Sequence, residues 1–383
     1  MAFLVQGGAP PDDSVTTVKI KDDAVTAAKV AAGVLPAKNL IINGDMRISQ
    51  RSDEASVTGN SYGGPDRFQM QASSHGTWTV GSTADAPTGE GFTKCQHLTC
   101  TSGGSTPGVG DLAHLVYKFE GQDLQSIKKG SSNAEPLTLS FWVKSDETGT
   151  AIVELQDSDN TRHVSASYTI GSADTWEQKI ITFPADTTGT FNSDNAQSAI
   201  LYWWLDGGTN YTSGTLATTW ASLTQANRAV GLNLEVGRST SDYLKITGVQ
   251  LEVGSAASDF EHRDYATELA RCQRYFQTTA RESGAVCQVG SGYAEYGNRG
   301  KATRIYPVEM RSAPTVTVSA VTDLTFRTTA GGFTGASGFA VTNISRQACH
   351  LDVVTASSLT DGQGGVYEVA AGTAKFINFS AEL

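Results

Sequence analysis

Alternate residues of a β-strand point to opposite faces, and in two segments that alternation leaves large aromatic side chains where a core does not require them. In "ILYWWLD", Leu201, Trp203 and Leu205 share one face, while Tyr202, Trp204 and Asp206 share the other. In "LTLSFWVKS", Leu137, Leu139, Phe141 and Val143 make an apolar face, and Ser140, Trp142 and Lys144 point away from it. Trp142, Tyr202 and Trp204 therefore need a second role. As a ligand platform they would stack on sugar rings, with Asp206 and Lys144 hydrogen-bonding the hydroxyls. Burial against a neighbouring subunit or against the chain's own helix is the other account of them, since aromatic residues are enriched at interfaces.

Catalytic chemistry leaves no comparable trace. The sequence holds no Gly-x-Ser-x-Gly, His-Glu-x-x-His, P-loop or strand-anchored Gly-x-Gly-x-x-Gly. Its six histidines share no ligating spacing, and its five cysteines (Cys95, Cys100, Cys272, Cys287, Cys349) form no Cys-x-x-Cys pair, so neither zinc nor a disulfide framework is indicated. Asp157-Ser158-Asp159-Asn160 lacks the glycine and the distal Glu of a calcium loop and reads instead as a hairpin turn. Sugar cleavage needs two carboxylates at a set separation; acids are plentiful, and no pair is singled out. The expectation is a protein that is not an enzyme, with no cofactor and no metal.

The elements that would position these residues are strands. The 383-residue chain is 39% hydrophobic and 17% charged, with 40 glycines, a balance that favours a turn-rich β protein. Its net charge of -11 and lack of a Lys/Arg block argue against a nucleic-acid or anionic-membrane partner. No apolar run approaches the roughly 18 residues that span a bilayer, and the start lacks a basic leader, so folding in a cytoplasm is expected. About a dozen short strands between Asn39 and Val253 predict a jelly-roll β-sandwich over 39–258. In its last strand Leu244 and Ile246 hold one phase and Val249, Leu251 and Val253 the other, which predicts a bulge at Thr247-Gly248.

Tyr265, Leu269, Cys272 and Phe276 fall at i, i+4, i+7 and i+11 behind a candidate N-cap, Asp264, and predict a linker helix within 259–278. That stripe could form a three-chain oligomerisation contact or pack on its own jelly roll. Residues 279–383 read as a small C-terminal β-sandwich knob, its last strand docked into a sheet. Residues 1–38 hold two copies of one pattern ten residues apart, Ser14–Ile20 and Ala24–Val30, too few for a solenoid. They read as an attachment or oligomerisation segment.

In order along the chain, "NLIINGDMRISQR", "LTLSFWVKS", "ITGVQLEVG", "FEHRDYATELARCQRYF" and "YPVEMRSAPTVT" resemble tail-fibre and related receptor-binding proteins of tailed bacteriophages, and "VTTVKIKDDAVTAAKV" is similar to repeats near the starts of such fibres. The first β domain also resembles jelly-roll carbohydrate-binding modules, in which first and last strands pair. The resemblance implies a virion structural protein assembled in the host cytoplasm and usually homotrimeric. Its N-terminal segment would hold other phage tail proteins and its distal domains would meet a host cell-surface polysaccharide or receptor. It implies no particular ligand residues, and the short N-terminal region leaves the mounting point open between the tail, another fibre protein and the head. A structural collar or head-decoration protein without receptor binding, and a polysaccharide-degrading tail spike, are the alternatives, although the strand repeat of solenoid spikes is absent.

Overall fold

The computed structural model describes residues 38–103, 105–279, 285–328, 333–372 and 374–383; the repeat-bearing N-terminal segment expected to mediate attachment lies outside the described residues, apart from Lys38. Thirteen strands come first: β1 (Glu54–Val57), β2 (Asn60–Ser61), β3 (Phe68–Ser73), β4 (Thr77–Thr83), β5 (Cys95–Ser102), β6 (Leu112–Glu120), β7 (Leu137–Ser145), β8 (Gly149–Asp157), β9 (Arg162–Ile170), β10 (Glu177–Phe183), β11 (Gln197–Gly207), β12 (Ala221–Ser222) and β13 (Tyr243–Val253), with a one-turn helix α1 (Thr209–Thr212) after β11. A longer helix, α2 (Tyr265–Gln273), leads to β14 (Phe276–Thr278), β15 (Cys287–Ala294), β16 (Arg299–Ile305), β17 (Thr315–Val318), β18 (Leu324–Thr328), β19 (Phe333–Thr342), β20 (Ala348–Thr355), β21 (Gly364–Val369) and β22 (Ile377–Ser380). No helix among the described residues is long and apolar enough to cross a membrane.

A six-stranded sheet, β1-β4-β5-β13-β7-β10, faces a seven-stranded one, β12-β9-β8-β11-β6-β3-β2, in the expected jelly-roll sandwich. Leu139, Phe141, Val143, Ile246 and Leu251 from the first meet Leu115, Val153, Leu201, Trp203 and Leu205 from the second in one buried cluster. Each such full burial contributes roughly 1.5–3 kcal/mol, which is why period-two alternation decides the inward faces. The β8–β9 hairpin confirms the turn at Asp157–Asn160: the Asn160 amide donates to Asp157 Oδ1 at 3.0 Å, and Lys129 Nζ reaches Asp157 Oδ2 at 2.6 Å. The expected bulge is present as well. Pairing of β13 with β7 shifts register between Thr247 and Gln250, and Gly248 holds φ +61°. A Cβ there would stand 2.7 Å from Phe92 Cζ, so both backbone and space call for glycine.

The opening segment runs beside the closing strand. Leu40 N donates to Leu251 O and Val249 N to Gly44 O, both at 2.8 Å, while Asn39 Oδ1 accepts from Ile41 N and Leu251 N. The side chain of Asn39 thus stands in for part of a regular ladder.

Two expectations are corrected. The C-terminal unit is a closed barrel, β15-β16-β20-β19-β18-β21, flanked by a three-stranded sheet β14-β22-β17, and not a sandwich. Closure follows from β21, which pairs with β15 on one side and β18 on the other. Gly300 and Gly365 leave room for the Phe326 ring in the interior, since a Cβ at either would lie 2.6 Å from it. The docked last strand is present: β22 pairs with β14 and β17.

The helical stripe is also shorter than expected. Asp264 does cap α2, accepting from Thr267 N at 2.9 Å, but the helix stops at Gln273 and Phe276 belongs to β14. Cys272 and Tyr275 are buried with Ile42 and Ile48, Leu269 packs partly buried beside them, and Tyr265 is 56% exposed. The helix therefore packs on the chain's own jelly roll. Around it Glu382 pairs with Arg51 and Arg67, the Arg67 guanidinium lies 3.4 Å from the Tyr275 ring centroid, and Arg274 pairs with Glu120 at 2.7 Å.

Candidate ligand face on the six-stranded sheet

The five residues expected to share a ligand platform lie on two different sheets. Tyr202, Trp204 and Asp206 belong to β11 of the seven-stranded sheet, whereas Trp142 and Lys144 belong to β7 of the six-stranded one. The outer face of β11 is also closed: Trp204 is 0% exposed and Tyr202 8%. The chain between β11 and β13, with α1 and β12 in it, folds over that face, bringing Ala229, Leu216, Tyr211 and Leu232 against Val116, Ile152, Tyr202 and Trp204.

At the centre of this second core, Glu154 accepts from Arg228 Nε at 3.0 Å and from Trp204 Nε1 at 3.1 Å, and its Oε1 lies 3.0 Å from His163 Nδ1. The guanidinium of Arg228 sits 4.8 and 4.9 Å from the Tyr202 and Trp204 ring centroids. The aromatics of β11 thus enclose an internal cation. Asp206 is buried too, held by Arg238 Nε at 2.6 Å and by His75 at 3.3 Å. The covering surface is supplied by neither a sister subunit nor α2.

The outer face of the six-stranded sheet is different. Across it the register sets Gly81 against His97, His97 against Lys245 and Lys245 against Lys144, with Trp142 against Thr247 and Gln178 in the next row. Trp142, Lys144, His97, Tyr243 and Lys245 are all half-buried, and none belongs to the sandwich core. Two irregular segments border this strip. From one, Phe92 contacts Phe260 (centroids 5.0 Å apart) and His262 (5.5 Å) of the other. Asp85 reaches over the sheet from the first segment, and Trp176, just before β10, donates its indole N–H to Asp85 Oδ1 at 3.2 Å. The result is one face carrying two indoles, a phenol, an imidazole, two ammonium groups and the carboxylates of Asp85, of Asp53 beside Gly81, and of Asp174, which accepts from the Tyr243 hydroxyl.

The charges here are arranged around Asp85. Lys245 Nζ and Lys144 Nζ lie 2.6 and 3.1 Å from its Oδ2. Partial burial pushes its carboxyl up, but the hydrogen bonds from Lys245, Lys144 and Trp176 outweigh that and hold it at about 2. Burial, and then the neighbouring Lys245, push the His97 imidazole below its ordinary value, so it is neutral near pH 7; Nε2 lies 2.7 Å from Thr99 Oγ1. Tyr243 stacks edge-on to His97 (5.8 Å) under Lys245 Nζ (4.7 Å). Such a surface can stack on an apolar ring face and hydrogen-bond the groups around its rim. At its end Asp146, Glu147 and Asp242 bring one carboxylate oxygen each within 4.8 Å of one another. Asp242 Oδ2 is committed to the Gly237 and Ser239 amides, and Asp146 Oδ1 to the Tyr243 amide.

Of the platform residues read from sequence, Trp142 and Lys144 are on this face, and Tyr202, Trp204 and Asp206 are not. Tyr243 and Lys245 were legible, because they alternate with the inward Leu244 and Ile246. Asp85 and Trp176 come from irregular segments, where no period marks a facing.

No protein-family model matches the chain, and no curated protein does. Solved structures with a similar strand arrangement include the enzymatically active domain of tailspike protein 4 from bacteriophage CBA120 (15% identity, 52% of this chain and 21% of that chain, TM-score 0.28). They also include a family 11 carbohydrate-binding module from Clostridium thermocellum in complex with a β-1,3-1,4-mixed-linked tetrasaccharide (12% identity, 56% of this chain and 100% of that chain, TM-score 0.26). A third is TmCBM61 in complex with β-1,4-galactotriose (8% identity, 52% of this chain and 99% of that chain, TM-score 0.27). This chain spans about a fifth of the tailspike's length.

Proposed function

We propose that the outer face of the six-stranded sheet binds a host cell-surface glycan without cleaving it, and that the chain is a virion receptor-binding protein of the tailed-phage fibre type. The observation that carries the binding role is the set of half-buried rings, Trp142, Trp176 and Tyr243, on one face beside Lys144, Lys245, His97 and Thr99, where the sandwich core has no use for them. The virion role rests on the ordered motifs from "NLIINGDMRISQR" to "YPVEMRSAPTVT". In this reading residues 1–38 join a homotrimer to other virion proteins, and three weak sites act together, raising avidity by roughly 10² to 10⁴ over one site when geometry allows.

Incubating the purified protein with envelope polysaccharide of its host, and measuring both retention and new reducing ends, tests this directly. Saturable retention without released sugar is expected, and Trp142→Ala should lower it about tenfold, or about 1.4 kcal/mol, near the upper end of the roughly 0.5–1.5 kcal/mol of an aromatic contact. Release of oligosaccharides would make the protein a degrading spike. Absence of retention on every host glycan would leave a collar or head-decoration role.

A further inference from the structure

Two ammonium groups share a single carboxylate oxygen in the middle of the candidate face. Lys144 and Lys245 stand directly opposite each other on neighbouring strands, and both point to Asp85 Oδ2. Like charges opposite one another on a sheet repel, and one carboxylate balances only one of them. Each ammonium carries three N–H donors, so each keeps donors beyond the one directed at Asp85. Within the Lys144-Asp85-Lys245 triad one positive charge is left over, set in a strip with Tyr243 and Trp142 to either side; the face's further carboxylates are Asp174, which accepts from the Tyr243 hydroxyl, and Asp53, beside Gly81. A ligand carboxylate would take up the donors that Lys144 and Lys245 keep and balance the charge left in the triad, whereas a neutral ligand would do only the first.

We propose that the ligand of this face is an acidic saccharide whose carboxylate binds Lys144 and Lys245 beside Asp85 while its ring stacks on the neighbouring indole. The inference rests on the glycan-binding reading above and narrows its ligand class. Asp85 holds the two lysines in register and also sets the charge that the ligand must supply.

Fluorine NMR of the full chain labelled with fluorotryptophan, titrated with glucuronate and separately with glucose, tests it through the signals of Trp142 and Trp176. Glucuronate is expected to bind about fivefold more tightly than glucose at low salt, the effect of one partly exposed ion pair. The preference should shrink when NaCl is raised from about 0.02 to about 0.5 M. Lys144→Gln and Lys245→Gln should each reduce the preference, and Asp85→Asn should increase it, so the variants move in opposite directions and a general loss of folding cannot imitate the pattern. Equal affinities for the two sugars would overturn the acidic ligand and leave the glycan face standing. Silence of both indole signals would overturn the acidic ligand in every case, and, joined to an absence of retention on host polysaccharide, would overturn the glycan face with it.

Discussion

At the scale of the residue, the buried second core over β11 makes a prediction of its own. His114 lies 4.9 Å from both the Tyr202 and Trp204 rings, with Nε2 2.9 Å from Gln71 Oε1. Burial, and then the Arg228 charge, pull its imidazole from an ordinary 6.5 down to about 3. A folded-state value below the unfolded one means that the unfolded chain takes up the proton first. The stability His114 contributes is therefore fully present above pH 6.5 and is lost as the pH falls toward 3, by about 1.4 kcal/mol per pH unit within that window. Urea denaturation at several pH values should show the gap between the parent protein and His114→Gln narrowing as the solution is acidified. Parallel curves would mean that the imidazole is not held neutral. The same neighbourhood explains why two aromatics that alternate away from the sandwich core do not meet solvent: Arg228 and Glu154 form a buried pair, and a lone buried charge without such partners would be costly.

At the scale of the element, the bulge in β13 connects fold and ligand face. Gly248 lets the strand change phase, so that Val249 and Leu251 re-enter the core after Ile246. It also brings Phe92 and Trp142 together, because a Cβ would stand 2.7 Å from the first and 3.0 Å from the second. Gly248→Val should destabilise the chain by about 2–4 kcal/mol, combining a left-handed β-branched residue with displaced neighbours. Thermal unfolding measures the first effect, and loss of polysaccharide retention by the fraction that remains folded measures the shift of Trp142. A variant with unchanged stability would show that the bulge can be rebuilt elsewhere. Alternation made this bulge legible beforehand, since the phase of Leu244 and Ile246 conflicts with that of Val249, Leu251 and Val253. It could not show that "ILYWWLD" and "LTLSFWVKS" lie on opposite sheets, because period two states which residues of one strand share a face and nothing about which strands become neighbours.

At the scale of the whole molecule, α2 is the joint at which the barrel's flanking sheet meets the jelly roll. Leu269 packs partly buried beside Ile42, Ile48, Cys272 and Tyr275, and Glu382 pairs with Arg51 and Arg67 across the same junction. Leu269→Asp should therefore lower stability by about 1–3 kcal/mol, a partly buried apolar side chain being exchanged for a charge. The mass measured by light scattering should stay that of the parent protein. A fall in mass on substitution would return the stripe to the role of a contact between three chains.

Much of this protein follows from sequence without tertiary information. The mainly β class, the inward residues of each long strand, the hairpin at Asp157–Asn160, the bulge and the Asp264 cap all depend on the local period of side chains or on a residue's own hydrogen bonding. What the tertiary structure decided is which faces are covered. The closing of the barrel depends on β21 finding β15, and the burial of Trp204 depends on an irregular segment around Arg228 lying over it. The candidate ligand face depends on Asp85 and Trp176 arriving from segments without any period. Such long-range meetings are set by the sum of many weak packing terms across the chain, and no local pattern of residues encodes them.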